Sequence, residues 1–363
     1  MEIGITRNVV FVVISMSILI LACLSTSDES QSFLQVKPTG CNLYEGKWVY
    51  DESYPLFDSS KCPSIRKVFD CFKYGRPDHQ YLKYRWQPNG CDLPRFDARD
   101  FLRRMKGKKI VFVGDSVSDN HWQSLVCLLN GINTTTSHVT NDAFSTLKFE
   151  EYGASITVFL SHYLVDITNE PIGRVLNLDS IKDGEIWKQA DVLIFNTWLW
   201  WYRKGPKQPW DYIKNDGKIV KDMDRMEAFR KALITWAKWV NSDVNPSKTK
   251  VFFQGISPSH YNGKEWNEPS ARDCSKETTP LNGTTYPGGV PLALKVLKEV
   301  LRSNTSPTKP VHLLDITNLS QLRKDGHPSK YNAFRGMDCT HWCVAGVPDT
   351  WNQLLYAELL QGI

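Results

Sequence analysis

The chain has 363 residues, of which 41% are hydrophobic and 23% charged, with 44 Lys and Arg against 39 Asp and Glu for a net charge of +5. That is enough apolar mass for one large domain or a domain with an added lobe, and it excludes a chain that is disordered as a whole. The basic residues are scattered among acids with no dense basic tract, so the sequence is not that of a nucleic-acid binder.

Val9 to Leu24 is an apolar run of 16 residues between Arg7 and the polar segment Ser25, Thr26, Ser27, Asp28, Glu29. A membrane span needs about 17 to 25 residues and a signal-peptide core about 7 to 15, so the run sits between the two. Residues 1–25 are therefore read as a signal anchor or a signal peptide, and 26–40 as a short linker. Either places the rest of the chain in the secretory pathway.

Residues 41–102 are rich in Tyr, Trp, Pro and Cys with little helical periodicity, and are expected to form a disulfide-braced lobe. With Cys23 in the leader, eight cysteines remain, an even number that fits four disulfides in an oxidising compartment. Spacing alone leaves their pairing open. No Cys-x2-Cys pair is present, and no metal is expected. Four sequons, at Asn133, Asn282, Asn304 and Asn318, are candidates for glycosylation.

Residues 103–363 alternate short apolar runs with helical stripes. The runs Ile110 to Val113, Ile156 to Leu160, Val192 to Phe195, Val251 to Gln254 and Leu313 to Ile316 predict strands. Met226, Phe229, Leu233, Trp236 and Val240, spaced by three and four, predict a helix packed on a sheet, and a last helix is expected from Pro348 to Leu360. Such alternation predicts an α/β fold, a mostly parallel sheet with helices on both faces, whose ligands bind at the carboxyl ends of the strands.

Gly114-Asp115-Ser116 ends the first of these strands and precedes the amphipathic stretch Trp122, Leu125, Val126, Leu129. A tight turn from strand to helix lifts a serine hydroxyl to where a base from elsewhere can meet it. The bland alternative is that Ser116 merely caps the helix. Far along the chain, Asp338 stands three residues before His341, so its carboxylate can hold Nδ1 and leave Nε2 facing the serine. Ser116, His341 and Asp338 are thus read as nucleophile, base and acid. His260 and His327 are rival bases without an aspartate at that spacing. Candidates for stabilising the oxyanion or touching substrate are Gly114, Asp115, Asn120 and Asn196, together with the backbone N–H of Ser116 or Val117. Trp198, Trp200, Trp201, Tyr202, Trp210, Trp266 and Trp342 cluster on strand-end loops; most are expected in the core, with Trp200 and Trp201 the first choices for contact with a sugar ring.

The chain resembles the plant trichome birefringence-like family of polysaccharide O-acetyltransferases, related to GDSL or SGNH-type esterases. The resemblance runs through Cys41-Asn42-Leu43-Tyr44-Glu45-Gly46-Lys47-Trp48-Val49, Tyr54-Pro55-Leu56-Phe57, Cys62-Pro63, Gly75-Arg76-Pro77-Asp78, Arg85-Trp86-Gln87-Pro88 and Cys91-Asp92-Leu93-Pro94-Arg95-Phe96. It continues through the Gly-Asp-Ser turn, Phe195-Asn196-Thr197-Trp198, Asp325-Gly326-His327-Pro328-Ser329 and Asp338-Cys339-Thr340-His341-Trp342-Cys343. It implies an SGNH-hydrolase-like domain over 103–363, with Ser116, His341 and Asp338 on the family's catalytic positions. The disulfides it implies are Cys41–Cys91, Cys62–Cys127, Cys71–Cys343 and Cys274–Cys339. One departure is Asp119, where many relatives carry an apolar or basic residue.

The implied activity is transfer of an acetyl group through a Ser116 acyl-enzyme onto a hydroxyl of a cell-wall polysaccharide, xylan or another hemicellulose, or pectin. Hydrolysis of the same esters is the near alternative, and a noncatalytic wall-glycan binder a third. The partners expected are the polysaccharide acceptor, an acetyl donor acting as co-substrate with no bound cofactor, and a membrane through the leader. The family's place is the Golgi membrane with the catalytic part in the lumen; secretion to the wall is the alternative.

Overall fold

The apolar runs become the middle of a mixed sheet, and their order in that sheet sets the place of the site. The computed structural model describes residues 41–363 apart from Ser64, Asp142 and Ile363, so the expected leader and linker over 1–40 lie outside the described residues. In chain order, strand β1 (Gly46–Tyr50) pairs antiparallel with β2 (Tyr84–Pro88), and helix α1 (Ala98–Arg104) leads to β3 (Lys109–Gly114) and helix α2 (Ser116–Leu129). A hairpin of β4 (Thr136–Thr140) and β5 (Phe144–Phe149) precedes β6 (Ala154–Leu160). Then come β7 (Asp166–Glu170), β8 (Gly173–Asn177), the short helix α3 (Gly184–Trp187), β9 (Val192–Asn196), β10 (Tyr212–Asn215) and β11 (Lys218–Val220). The rest is α4 (Arg225–Asp243), β12 (Lys250–Gln254), α5 (Leu292–Asn304), β13 (Val311–Leu314), α6 (Thr317–Gln321) and α7 (Val347–Leu360).

The main sheet has the order β13-β12-β9-β3-β6-β5-β4. The five strands from β13 to β6 are parallel, and β5 and β4 extend the edge antiparallel. From β3 the chain goes to β6 on one side and later to β9 on the other, so the end of β3 is a topological switch point. A second sheet, β11-β10-β8-β7, is inserted before and after β9.

Strand alternation divides the apolar side chains between two faces. Ile110, Phe112, Ile156, Val158, Val192, Ile194 and Phe252 join one core with Leu125 of α2 and Trp351 and Leu354 of α7. Val113, Phe159, Leu193, Phe195, Val251 and Phe253 join the other, with Phe229, Leu233, Trp236 and Val240 of α4 and Leu297 of α5. The α/β architecture with helices on both faces is the one the alternation predicts, and it agrees with the SGNH-like fold that the resemblance implies.

The strand expected over Leu313 to Ile316 ends at Leu314. Its carbonyl accepts from the N–H groups of both Gly255 and Ile316, which turns the chain into α6. The hairpin of β4 and β5 and the second sheet were not anticipated. All five residues of β4 lie on the surface, largely exposed, and only one, Val139, is apolar, so it gives no alternating signal.

Candidate active site

Asp115, and not Ser116, caps α2. Its side chain accepts from Val117 N–H at 2.9 Å, from the Asn196 amide at 2.7 Å and from Trp198 N–H at 3.4 Å. Ser116 is then the first residue of the helix, half-buried. Gly114 is required because strands β3 and β9 approach closely there: a Cβ on it would lie 2.0 Å from the Asn196 carbonyl oxygen and 2.5 Å from Ser118 Oγ. Gly114 and Asp115 are therefore builders of the turn. The expectation that they contact the oxyanion or substrate is corrected: Asp115 is fully buried and its oxygens already accept three N–H groups. Burial pushes its carboxyl above the ordinary range.

His341 comes to this turn from the other end of the chain. Its Nε2 is 2.7 Å from Ser116 Oγ, and its Nδ1 is 2.7 Å from Asp338 Oδ2. Asp338 Oδ1 accepts from the N–H groups of Thr340 and His341 at 3.0 Å each, so the loop folds around its own carboxylate. Burial opposes the charge, but the hydrogen bond from His341 and its attraction bring Asp338 down to about 2. Two disulfides bracket this loop. Cys274–Cys339 (Cα–Cα 5.7 Å) ties it to the segment after β12, and Cys71–Cys343 (5.6 Å) ties it to the N-terminal stretch. Cys62–Cys127 (5.3 Å) fastens that stretch to α2, and Cys41–Cys91 (6.2 Å) closes it on itself.

Asn120 proves to be a clamp. Its amide donates to the Trp342 carbonyl at 3.1 Å, and its Oδ1 accepts from Trp342 N–H at 2.7 Å, both inside the protein. This corrects the oxyanion reading, since the amide is turned to the backbone beside His341. Val117 N–H is likewise spent on the Asp115 cap. Two donors are left beside Ser116. The Ser116 N–H, at the start of α2, has no partner among the described residues, and the Asn196 amide keeps its second hydrogen. Asn196 pairs in register with Gly114, which sets it alongside the serine.

Asp119 lies 7% exposed and forms an ion pair with Arg66 at 2.7 Å. Burial raises it to about 6 despite Arg66 and the nearby His341. Nothing in the sequence linked Arg66 to the site.

The aromatics separate clearly. Trp201 is fully buried and donates to Thr197 Oγ1, so it is a core residue and not a sugar contact. Trp198, Trp210, Trp266 and Trp342 are buried too. Trp200 is half-buried, with the Arg203 guanidinium 3.1 Å from its ring centre and His162 3.8 Å from it. It lines an open cavity of about 400 Å³ with Leu160, Ser161, His162 and Tyr163. Ser116 and His341 are not among its lining residues; the link to their turn is through Ser161, whose N–H donates to the Gly114 carbonyl at 2.8 Å. Among the sequons, Asn133 and Asn282 are exposed, Asn304 is half-exposed, and the Asn318 side chain bonds to Tyr286 N–H and the Thr284 carbonyl.

Residues 93–358 match the family model described as the GDSL/SGNH-like acyl-esterase family found in Pmr5 and Cas1p, and residues 39–92 match the PMR5 N terminal domain. Over 341 residues the chain is 53% identical to "Protein trichome birefringence-like 38" of Arabidopsis thaliana, covering 92% of this chain and 89% of that one. The chain belongs to the trichome birefringence-like family. It is also 49% identical to "Protein trichome birefringence-like 43" over 97% of both chains, and 39% identical to "Protein trichome birefringence" over 88% of this chain and 56% of that one, both from the same plant. Membership brings an acyl-ester hydrolase or transferase activity with it.

Proposed function

We propose that this trichome birefringence-like protein is a polysaccharide O-acetyltransferase that works through a Ser116 acyl-enzyme. The observation that carries the reading is the line from Ser116 Oγ through His341 to Asp338, with both links at 2.7 Å, at the switch point of the sheet. His341 Nε2 takes the hydroxyl proton as Oγ attacks the acetyl carbonyl, and Asp338 holds the ring and offsets its charge. The Ser116 N–H and the free Asn196 amide hydrogen are the donors for the oxyanion. His341 returns the proton to the leaving group, then takes one from a glycan hydroxyl that attacks the acyl-enzyme and gives it to Ser116 Oγ as the Oγ–acyl bond breaks.

Cell-wall glycans, xylan or another hemicellulose or pectin, are the acceptors proposed. The family and the cavity beside Trp200 support that class. We place the protein in the Golgi membrane through residues 1–25, with the catalytic part lumenal. Hydrolysis of the same esters is the second reading. It is favoured by the solvent reach of the triad, since the His341 and Asp338 side chains stay 20% and 15% exposed.

The test is incubation of the full chain, made in a disulfide-competent host, with an acetyl donor and deacetylated glycan oligosaccharides, following acetylated sugar and free acetate by mass spectrometry. Acetylated sugar that is lost in Ser116→Ala supports transfer. Free acetate released from acetylated glycan with no sugar product means hydrolysis, and neither signal across a broad panel overturns the enzymatic reading.

A further inference from the structure

His260 and His327 take no part in the line just described, yet they end beneath it. His327 Nδ1 is 2.7 Å from the His341 carbonyl oxygen, and His327 Nε2 is 2.6 Å from His260 Nδ1. His260 Nε2 in turn is 2.9 Å from the Gln321 carbonyl oxygen. Both rings are buried, at 2% and 0% exposure. A carbonyl oxygen only accepts, so each outer nitrogen carries a hydrogen. A neutral imidazole has one N–H, which leaves two lone pairs facing each other at the centre. One further proton there turns the clash into a hydrogen bond.

We propose that His260 and His327 share one extra proton and, as a singly charged pair, position the loop that carries His341. The positioning half rests on reading His341 as the catalytic base. Trp342 supports the charge: its indole is stacked on His327 with centroids 4.1 Å apart, a geometry that favours a cation. Asp338 adds attraction from the same loop.

The other charged neighbours are mostly matched. Arg76, which donates to the His327 carbonyl, is paired with Asp78 at 3.0 Å; Lys324 is paired with Glu268 and Glu277; Arg323 is paired with Asp325. Trp266 and Tyr286, packed on His260, are neutral. Burial, with His260 and His327 repelling each other and Arg76 and Lys324 nearby, pushes the imidazoles down. The repulsion between the rings falls on the second proton; burial and the two cations oppose the first as well, and against them stand the three hydrogen bonds in line, the Trp342 stack and Asp338. When pH rises far enough to remove the first proton, one ring must change tautomer and abandon the His341 or the Gln321 carbonyl.

The experiment counts protons. In the full chain labelled with 15N-histidine at neutral pH, with His260→Asn and His327→Asn for assignment, the pair is expected to show three ring N–H groups. Two ring N–H groups and two bare nitrogens, whichever positions they occupy, would overturn the charged pair. Positioning is read from kinetics on an acetyl ester. His327→Ala is expected to lower kcat by about tenfold or more with KM changed less than about twofold, since small displacements of a base are costly. His327→Asn, whose amide nitrogen overlays Nδ1 and still donates to the His341 carbonyl, is expected to recover most of that loss. The wild type is expected to lose kcat at alkaline pH as the shared proton leaves; His260→Asn gives His327 Nε2 a neutral donor, so that fall is expected to disappear.

Should His327→Ala not unfold cooperatively, His327→Asn alone decides: kcat below about a tenth of wild type overturns positioning. A wild type with no turnover of any acetyl ester defeats the proposed enzyme, whereas the proton count judges the pair on its own.

Discussion

Asn120→Ala separates a clamp from an oxyanion donor. In the clamp reading the substitution orphans two buried backbone groups, the N–H and carbonyl of Trp342, which Asn120 bonds at 2.7 and 3.1 Å. An unsatisfied buried polar group costs about 1–3 kcal/mol, so the two together are expected to destabilise the fold by about 3 kcal/mol, the lower half of their summed range, because the alanine leaves room for some relaxation. Trp342 adjoins His341, so kcat falls as well. Loss of an oxyanion donor has another signature, about a 10²–10³ drop in kcat with stability intact. Urea unfolding followed by tryptophan fluorescence, beside kcat on an acetyl ester, reads both quantities. Asn120→Asp sharpens the test. It keeps the acceptor for Trp342 N–H but sets a second oxygen against the Trp342 carbonyl, so it too should lose stability. A hundredfold loss of kcat in Asn120→Ala with stability within 1 kcal/mol of wild type would refute the clamp.

Asp338→Asn keeps the shape of the loop but no longer fixes the His341 tautomer; a kcat loss of about 10⁴ is expected at neutral pH in steady-state assays, with the fold retained. Two buried carboxyls set a pH dependence of stability: burial first of all raises Asp349 to about 7 and Asp119 to about 6. Each binds its proton more tightly folded than unfolded, so the stability it contributes is complete below about pH 4 and is lost as pH rises through those values, by about 4 and 3 kcal/mol respectively. Because burial pulls His121 and His162 down to about 4, which adds stability as pH rises toward 6.5, the carboxyl contribution is read as a difference: from pH 5 to 8 the urea midpoint of the wild type should fall relative to that of Asp349→Asn, and a constant or widening advantage of the wild type would contradict the assignment. Replacing Cys71 and Cys343 by serine opens a cross-link spanning 272 residues, worth about 5 kcal/mol on chain-entropy grounds, and frees the His341 loop; both the thermal midpoint and kcat should drop.

How much of this was legible follows from the kind of signal each part leaves. The five parallel strands are continuous apolar runs because both of their faces are covered, and such runs stand out in a sequence. The hairpin β4 and β5 does not, because Thr136, Ser137, His138 and Thr140 face outward and no apolar period forms. That Ser116, Asp338 and His341 would come together was legible because each carries its local context, a strand-to-helix turn or an aspartate three residues before a histidine. Asn120 was misread for the opposite reason: an asparagine four residues after a serine looks the same whether its amide faces the oxyanion or a backbone over 200 residues away. Trp201 and Trp200 are adjacent in sequence, and only the packing against Phe229 and Thr197 decides that the first is core. Arg66 left no trace, because its partner Asp119 is joined to it only through the fold.

The site is held from three directions that meet at one loop. Helix α2 presents Ser116 at its start, and one turn on it grips Trp342 through Asn120. The N-terminal stretch reaches the same loop through Cys71–Cys343 and through Val344 N–H, which donates to the Phe69 carbonyl at 3.1 Å. The segment after β12 reaches it through Cys274–Cys339 and through His260 N–H, which donates to the Cys339 carbonyl at 2.9 Å. On the proposed function, a base carried on a loop, with no strand to fix it, needs such bracing, because an error of about 1 Å at His341 Nε2 costs far more in rate than in stability. The N-terminal stretch thus ties the His341 loop to helix α2, through Cys71–Cys343 on one side and Cys62–Cys127 on the other, without supplying an atom to the line from Ser116 to Asp338.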